Sequence, residues 1–148
     1  MKVLDTVGMI VREKGGQIWF IDPDATVYEA LEIMADKGVG ALLVMQSKRP
    51  VGIISERDYA RKIILRGLSS KTTKVNEIMT SPALTVGLDT TVDDAMRLMT
   101  EHRIRHLPVM DRDDTVAGLV SIGDLVKWII TSHEQTIEQL ESYISGRV

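Results

Sequence analysis

Cysteine is absent from the 148 residues. Disulfides, thiolate metal ligands and a cysteine nucleophile are therefore excluded. The three histidines, His102, His106 and His133, are scattered and lack ordered carboxylates around them, so no metal site is expected. No apolar run approaches the ~20 residues that a membrane-spanning helix needs. The opening residues, with Asp5, Arg12, Glu13 and Lys14, lack the apolar stretch of a signal peptide, and a cytoplasmic location is the expectation. Positive charge is not in excess: a formal net charge of −3 gives no general pull toward nucleic acid or an anionic membrane. There is no P-loop and no Ser/His/Asp set in motif context, so enzyme activity is not expected.

What is present is a repeat. Apolar residues make up 44% and charged residues 26%, a balance that suits one domain or two small units sharing a core. Val27, Ala30, Met34 and Val44 recur as Val92, Ala95, Met99 and Val109, 65 positions later. The stretch Gly52-Ile53-Ile54-Ser55-Glu56-Arg57-Asp58 recurs as Gly118-Leu119-Val120-Ser121-Ile122-Gly123-Asp124, at an offset of 66.

Each unit opens with a short apolar run expected to be a strand, Ile18–Ile21 and Ala83–Val86. Thr26 with Glu29, and Thr91 with Asp94, have the spacing of helix-opening capping boxes. The helices that follow carry apolar stripes at i, i+3, i+4 and i+7: Val27, Ala30, Leu31 and Met34, then Val92, Ala95, Met96 and Met99. Two further strands follow in each unit, 41–46 with 51–55 and 106–111 with 116–121. Ser47 to Pro50 and Arg112 to Thr115 form the turns. Asp111, Asp113 and Asp114 lack the glycine and distal glutamate of a calcium loop and fit a solvated hairpin tip. The order strand, helix, strand, strand, helix gives an α+β class. Residues 1–68 form the first repeat with its lead-in, 69–74 a polar linker, 75–130 the second repeat and 131–148 a closing amphipathic helix. Val75 to Met79 is expected to make one helical turn, loosely mirrored by Met1 to Gly16.

The doubled Gly-aliphatic-aliphatic-Ser-x-x-Asp stretch runs from a strand end into a helix. Its Ser and Asp thus stand at a helix N-terminus, where backbone N–H groups are unpaired and the dipole favours negative charge. Ser-x-x-Asp is also a capping box, which stabilises a helix and binds nothing. Both readings stand on the residues alone.

This doubled motif, together with Arg103-Ile104-Arg105-His106-Leu107-Pro108-Val109 and Met79-Thr80-Ser81-Pro82, resembles a stand-alone tandem pair of CBS domains, also called a Bateman module. The resemblance covers Gly15 to Ile130. It implies two βαββα repeats packed with pseudo-twofold symmetry, two clefts between them, and a regulatory module that senses energy or cofactor state. The implied ligand is an adenine nucleotide, AMP, ADP, ATP or NAD(H), and the sequence does not separate these from the adenine-containing S-adenosylmethionine. It further implies a homodimer acting on an unknown downstream protein, without membrane or nucleic-acid partners. A structural interaction protein with empty clefts is the alternative.

Carried onto this sequence, the resemblance makes Asp124 and Asp58 ribose ligands, since a carboxylate can accept from both vicinal hydroxyls. Ser121 and Ser55 would donate to phosphate. Arg105, His106 and Arg103 would meet phosphate through charge, Arg103 also being suited to answer a helix C-terminus. Thr80, Ser81 and Pro82 would border the second cleft, and Gly16, Gln17 and Ile18 the first. Ala41 and Leu42, and His106 and Leu107, would form the opposite walls in their units, with Gly40 and Pro108 beside them counted among the ligand-binding residues. At the aligned positions the first unit has Gly38, Gly40 and Ala41 where the second has Arg103, Arg105 and His106, so unequal clefts are expected. The less basic cleft would rely on the backbone and Ser55, with Lys14 or Arg57 in addition. The cluster Arg57, Arg61 and Lys62 reads as a solvated helix face before a phosphate site.

Overall fold

A computed structural model describes residues 4–15 and 17–144. The chain opens with helix α1 (Val7–Lys14), closed by Gly15 at φ 91°. Strand β1 (Phe20–Ile21) leads to α2 (Val27–Lys37), whose N-cap Thr26 and Glu29 bond each other's backbone as the spacing predicts. Gly38, at φ 66°, ends that helix in the left-handed region. Strands β2 (Ala41–Gln46) and β3 (Arg49–Ser55) pair as an antiparallel hairpin, and β1 joins β2 in parallel. Helix α3 (Glu56–Asp58) continues as a π-helical stretch, Tyr59–Ile64.

The second unit repeats the plan. A single turn, α4 (Val75–Ile78), precedes β4 (Val86–Gly87), α5 (Val92–His102), β5 (His106–Met110), β6 (Val116–Ser121) and α6 (Ile122–Ile144). Each unit holds a three-stranded sheet, β1-β2-β3 and β4-β5-β6. Val27, Ala30 and Met34 are buried in one core, and Val92, Ala95 and Met99 in the other. Leu31 and Met96 are only partly buried at the edges of those cores.

Several boundaries differ from the sequence reading. β1 and β4 are shorter and start later than the apolar runs 18–21 and 83–86 suggest; ahead of β4, Thr80 pairs with Ile53 of β3. β3 starts at Arg49, because Ser47 and Lys48 alone make the turn, both at positive φ as a two-residue hairpin requires. At the other hairpin, Asp111 closes the turn by accepting from Asp113 N, Thr115 N and the Thr115 hydroxyl. The tail forms no separate helix: α6 runs unbroken from Ile122 to Ile144, since no glycine or proline interrupts it after Gly123. Residues 145–148 of the expected tail helix lie outside the described residues.

The lead-ins are exchanged between the units. Val7, Ile10 and Val11 of α1 are buried with β5, β6 and α5 of the second unit, not with the first. Val7 N donates to Thr90 O and Val92 N to Asp5 O. Conversely, Val75 and Ile78 of α4 are buried in the first unit's core. The linker 69–74 is tied to the first unit: Thr73 O and Ser70 O accept from Val27 N and Tyr28 N, two of the donors that the first turn of α2 leaves unpaired.

Candidate functional site

At both strand–helix junctions the Ser and Asp close a full capping box. Ser55 N donates to Asp58 Oδ2 at 3.0 Å, and Asp58 N to Ser55 Oγ at 3.2 Å. The equivalent distances are 2.8 and 3.1 Å for Ser121 and Asp124. The glycine that opens each motif is there for space. A Cβ on Gly52 would lie 2.7 Å from Met79 Sδ and 2.9 Å from Thr80 O; on Gly118 it would lie 2.8 Å from Val11 Cγ1. Each junction is thus crossed closely by the lead-in of the opposite repeat.

The two carboxylates are engaged differently. Asp58 is 8% exposed; its Oδ1 accepts from the Thr80 hydroxyl at 3.2 Å and pairs with Lys62 at 3.2 Å. Asp124 Oδ2 instead holds Lys14 Nζ at 2.7 Å, and Lys14 also donates to Leu119 O. Burial pushes the Asp124 carboxyl up, but the Lys14 and Ser121 hydrogen bonds outweigh it and hold the group below the ordinary carboxylate value.

A cleft of about 810 Å³ opens beside Asp58, within the usual size of a small-molecule site. Ser55, Arg57, Asp58, Arg61 and Lys62 enter it from the first unit, and Arg103, Arg105 and His106 from the second. Local folding explains the convergence. Ile122 N donates to Arg105 O, tying the entry of β5 to the start of α6. Arg103 caps α5 at φ 54°, the place that Gly38 takes after α2. Thr80 bonds Ile53 through both backbone groups, which brings Pro82 and Leu84 over the opening. Arg61 foremost, with lost hydration and then Arg105, lowers the Arg57 guanidinium from its ordinary value, so cations from both repeats act on one another. Burial holds the His106 imidazole below its usual value, against the pull of Asp124.

Of the residues read from sequence, the structure gathers Gly40, Ser55, Arg57, Asp58, Thr80, Pro82, Arg103, Arg105 and His106 on this cleft. Thr80 and Pro82 share this cleft with Arg103, Arg105 and His106, and the Thr80–Ile53 pairing sets them beside the first unit's junction as well; Ser81 between them does not line the cleft. Asp124, Ser121 and Lys14 meet at the other junction. Ala41, Leu107 and Pro108 are buried in the sheets and do not line this cleft as walls. Gln17 is exposed and Ile18 half-buried, both away from it, and Gly16 lies outside the described residues. Arg61 and Lys62 also line the cleft, with Arg57 and Arg61 exposed and Lys62 half-buried; the four-residue spacing sets Arg57 and Arg61 on one side of the chain. Ile53, Leu84, Ile104 and His102 carried none.

Among the described residues, no helix is long and apolar enough to cross a membrane, and no cluster of His, Asp or Glu could hold a metal ion. A sequence model of the CBS domain matches residues 9–65 and 75–131. The chain is 43% identical over 150 residues to the mitochondrial CBS domain-containing protein CBSX3 of Arabidopsis thaliana, covering 95% of this chain and 72% of that protein. It superposes with TM-score 0.80 on a putative signal-transduction protein with CBS domains from Burkholderia ambifaria, at 47% identity, covering 85% and 94% of the two chains. A structure of CBSX2 in complex with AMP is similar at TM-score 0.67 and 29% identity, covering 87% and 98%.

Proposed function

Because this chain belongs to the CBS-domain family, as a tandem pair of repeats, we propose that it is a regulatory module that binds an adenine nucleotide in the cleft between them. The observation that carries this reading is the meeting of the Asp58 carboxylate with arginines of both repeats in one cleft. Asp58 accepts from the ribose hydroxyls, exchanging its contacts with Thr80 and Lys62 for them. Arg57, Arg61 and Arg105 pair with phosphate oxygens, for which the planar guanidinium fork is suited. Ile53, Leu84 and Ile104 offer the apolar surface for the base. A ligand held by both repeats favours the arrangement in which those groups converge, and its binding energy becomes the signal. The AMP-bound CBSX2 relative supports the ligand class.

The protein works without catalysis. Exposed Ile64, Ile130, Ile137 and Leu140 supply the apolar surface for a homodimer. It acts in the cytoplasm on a partner protein; the Arabidopsis relative is named as mitochondrial, so cell fractionation is the check on location.

Complete capping boxes at both junctions favour the second reading, a structural protein with empty clefts. Thermal denaturation with AMP, ADP, ATP, NAD(H) and S-adenosylmethionine separates the two. A ligand at ~100 times its Kd adds about 2.7 kcal/mol, which raises the midpoint by about 5–10 °C. Asp58→Ala should abolish most of that rise. No rise with any adenine compound at millimolar concentration would leave the structural reading standing.

A further inference from the structure

We propose that the cleft beside Asp58 is built for a nucleoside di- or triphosphate in preference to a monophosphate. This inference rests on the nucleotide reading above and specifies its ligand. The lining holds Arg57, Arg61, Lys62, Arg103 and Arg105 against Glu56 and Asp58, an excess of three positive charges. Lys62 is spent on Asp58 and on Ile78 O. Among the described residues, none of the four arginines forms an ion pair with a protein carboxylate. Four guanidiniums gathered where cations outnumber carboxylates, and none of them so paired, make a site that attracts an anion. A terminal monophosphate brings about −1.5 to −2 at neutral pH, less than the cluster can accept. A longer phosphate chain carries more charge and reaches further, from Arg57 and Arg61 of the first repeat toward Arg103 and Arg105 on the opposite repeat. A dinucleotide with an internal diphosphate brings only two diester charges and no terminal phosphate, so it fits this cluster less well.

Arg103 supplies an independent observation. It sits in the left-handed region, φ 54° and ψ 42°, where the first repeat uses Gly38 at φ 66° and ψ 35°. An L side chain is disfavoured there and glycine is not. The chain keeps an arginine at a backbone position that suits glycine, and its side chain lies on the cleft.

Titration calorimetry with adenosine, AMP, ADP and ATP, without divalent cations, tests the proposal on the wild type, Arg61→Ala and Arg103→Gly. ADP and ATP should bind about tenfold or more tighter than AMP, the increment of an added charge-assisted contact. Each variant should weaken ATP by about tenfold and AMP by no more than about threefold. Arg103→Gly should at the same time keep or raise the melting temperature, which separates lost phosphate contact from lost fold. AMP binding as tightly as ATP overturns this inference and leaves the adenine-nucleotide reading intact. Equal losses for AMP and ATP in both variants also overturn it, since the arginines would then act on the whole ligand. No binding of any of the four compounds overturns both.

Discussion

Adding one methyl group at Gly118 should destabilise the protein, and removing two from Val11 should relieve the damage. A Cβ at position 118 would lie 2.8 Å from Val11 Cγ1 and 2.9 Å from Cγ2, well inside the ~3.5–4.0 Å of a favourable carbon contact. Valine in a helix is stiff at χ1, so the side chain cannot swing clear and α1 must move off the sheet. Such overpacking costs about 1–3 kcal/mol. Restricting the unfolded chain by Gly→Ala returns about 0.4–1 kcal/mol. The net loss is about 1–2 kcal/mol, or about 2–8 °C in the midpoint for a chain of this size. Val11→Ala alone removes two buried methyl groups and costs about 1.5–2.5 kcal/mol. In the double variant the new methyl enters the space that the old ones left. Its loss should therefore not exceed that of Val11→Ala alone, a departure from additivity of about 1–2 kcal/mol. Urea denaturation read by tryptophan fluorescence suits the measurement, because Trp128 packs on the same core and donates to Asp5 Oδ2 at 2.8 Å. Single-variant losses that add to within ~0.5 kcal/mol would refute the reasoning: α1 would not then be seated on β6.

Three further outcomes are expected. The folded-state value of His106 is lowered, so the unfolded chain binds more protons between that value and the ordinary ~6.5; stability should rise with pH through this window and be flat above it, and His106→Gln should flatten the slope of urea midpoints between pH 5 and 8. Asp124 is also lowered, but as an acid: its contribution is complete above the ordinary carboxylate value of ~3.9 and is lost as pH falls through the folded-state value, so Lys14→Met should cost under ~1 kcal/mol at pH 7 and nothing measurable once the carboxyl is protonated. Sedimentation equilibrium should find a dimer, and Ile137→Asp with Leu140→Asp should shift it toward the 16.5 kDa monomer, whereas a monomeric wild type at tens of micromolar refutes the dimer.

Local rules made much of this structure readable. Thr26 with Glu29, and Ser55 with Asp58, announce helix starts through groups three residues apart, and the spacing of Val27, Ala30 and Met34 marks a buried face. The repeat itself placed Asp58 and Asp124 at matching junctions. What spacing along the chain does not carry is which repeat a short helix joins. Val11 and Met79 sit in lead-ins of similar pattern, and only the missing Cβ of Gly118 and Gly52 decides where each can approach. The same limit hid the ownership of Arg103 and Arg105: their charge was visible, while their place on one cleft with Asp58 comes from tertiary packing. Spacing likewise does not tell that the exposed basic face of Arg57 and Arg61 borders a cleft, since a basic face looks alike on open surface and at a cleft rim. An apolar run also does not mark where pairing starts: β4 holds only Val86 and Gly87, while Thr80 ahead of it pairs with Ile53.

The exchange of lead-ins has a consequence for the order in which the chain can fold as it is made. Domains generally form as they emerge, N-terminal part first, at ~5–20 residues per second. Here α1 emerges early and has no core to join until β5, α5 and β6 have been synthesised, because Val7 bonds Thr90 and Val11 lies on Gly118. The first repeat waits as well, for Val75, Ile78 and Thr80 to close it. Neither half therefore finishes before the other has begun. The nascent chain carries an unsatisfied apolar helix across most of its synthesis, and the final step ties beginning to end in one cooperative event.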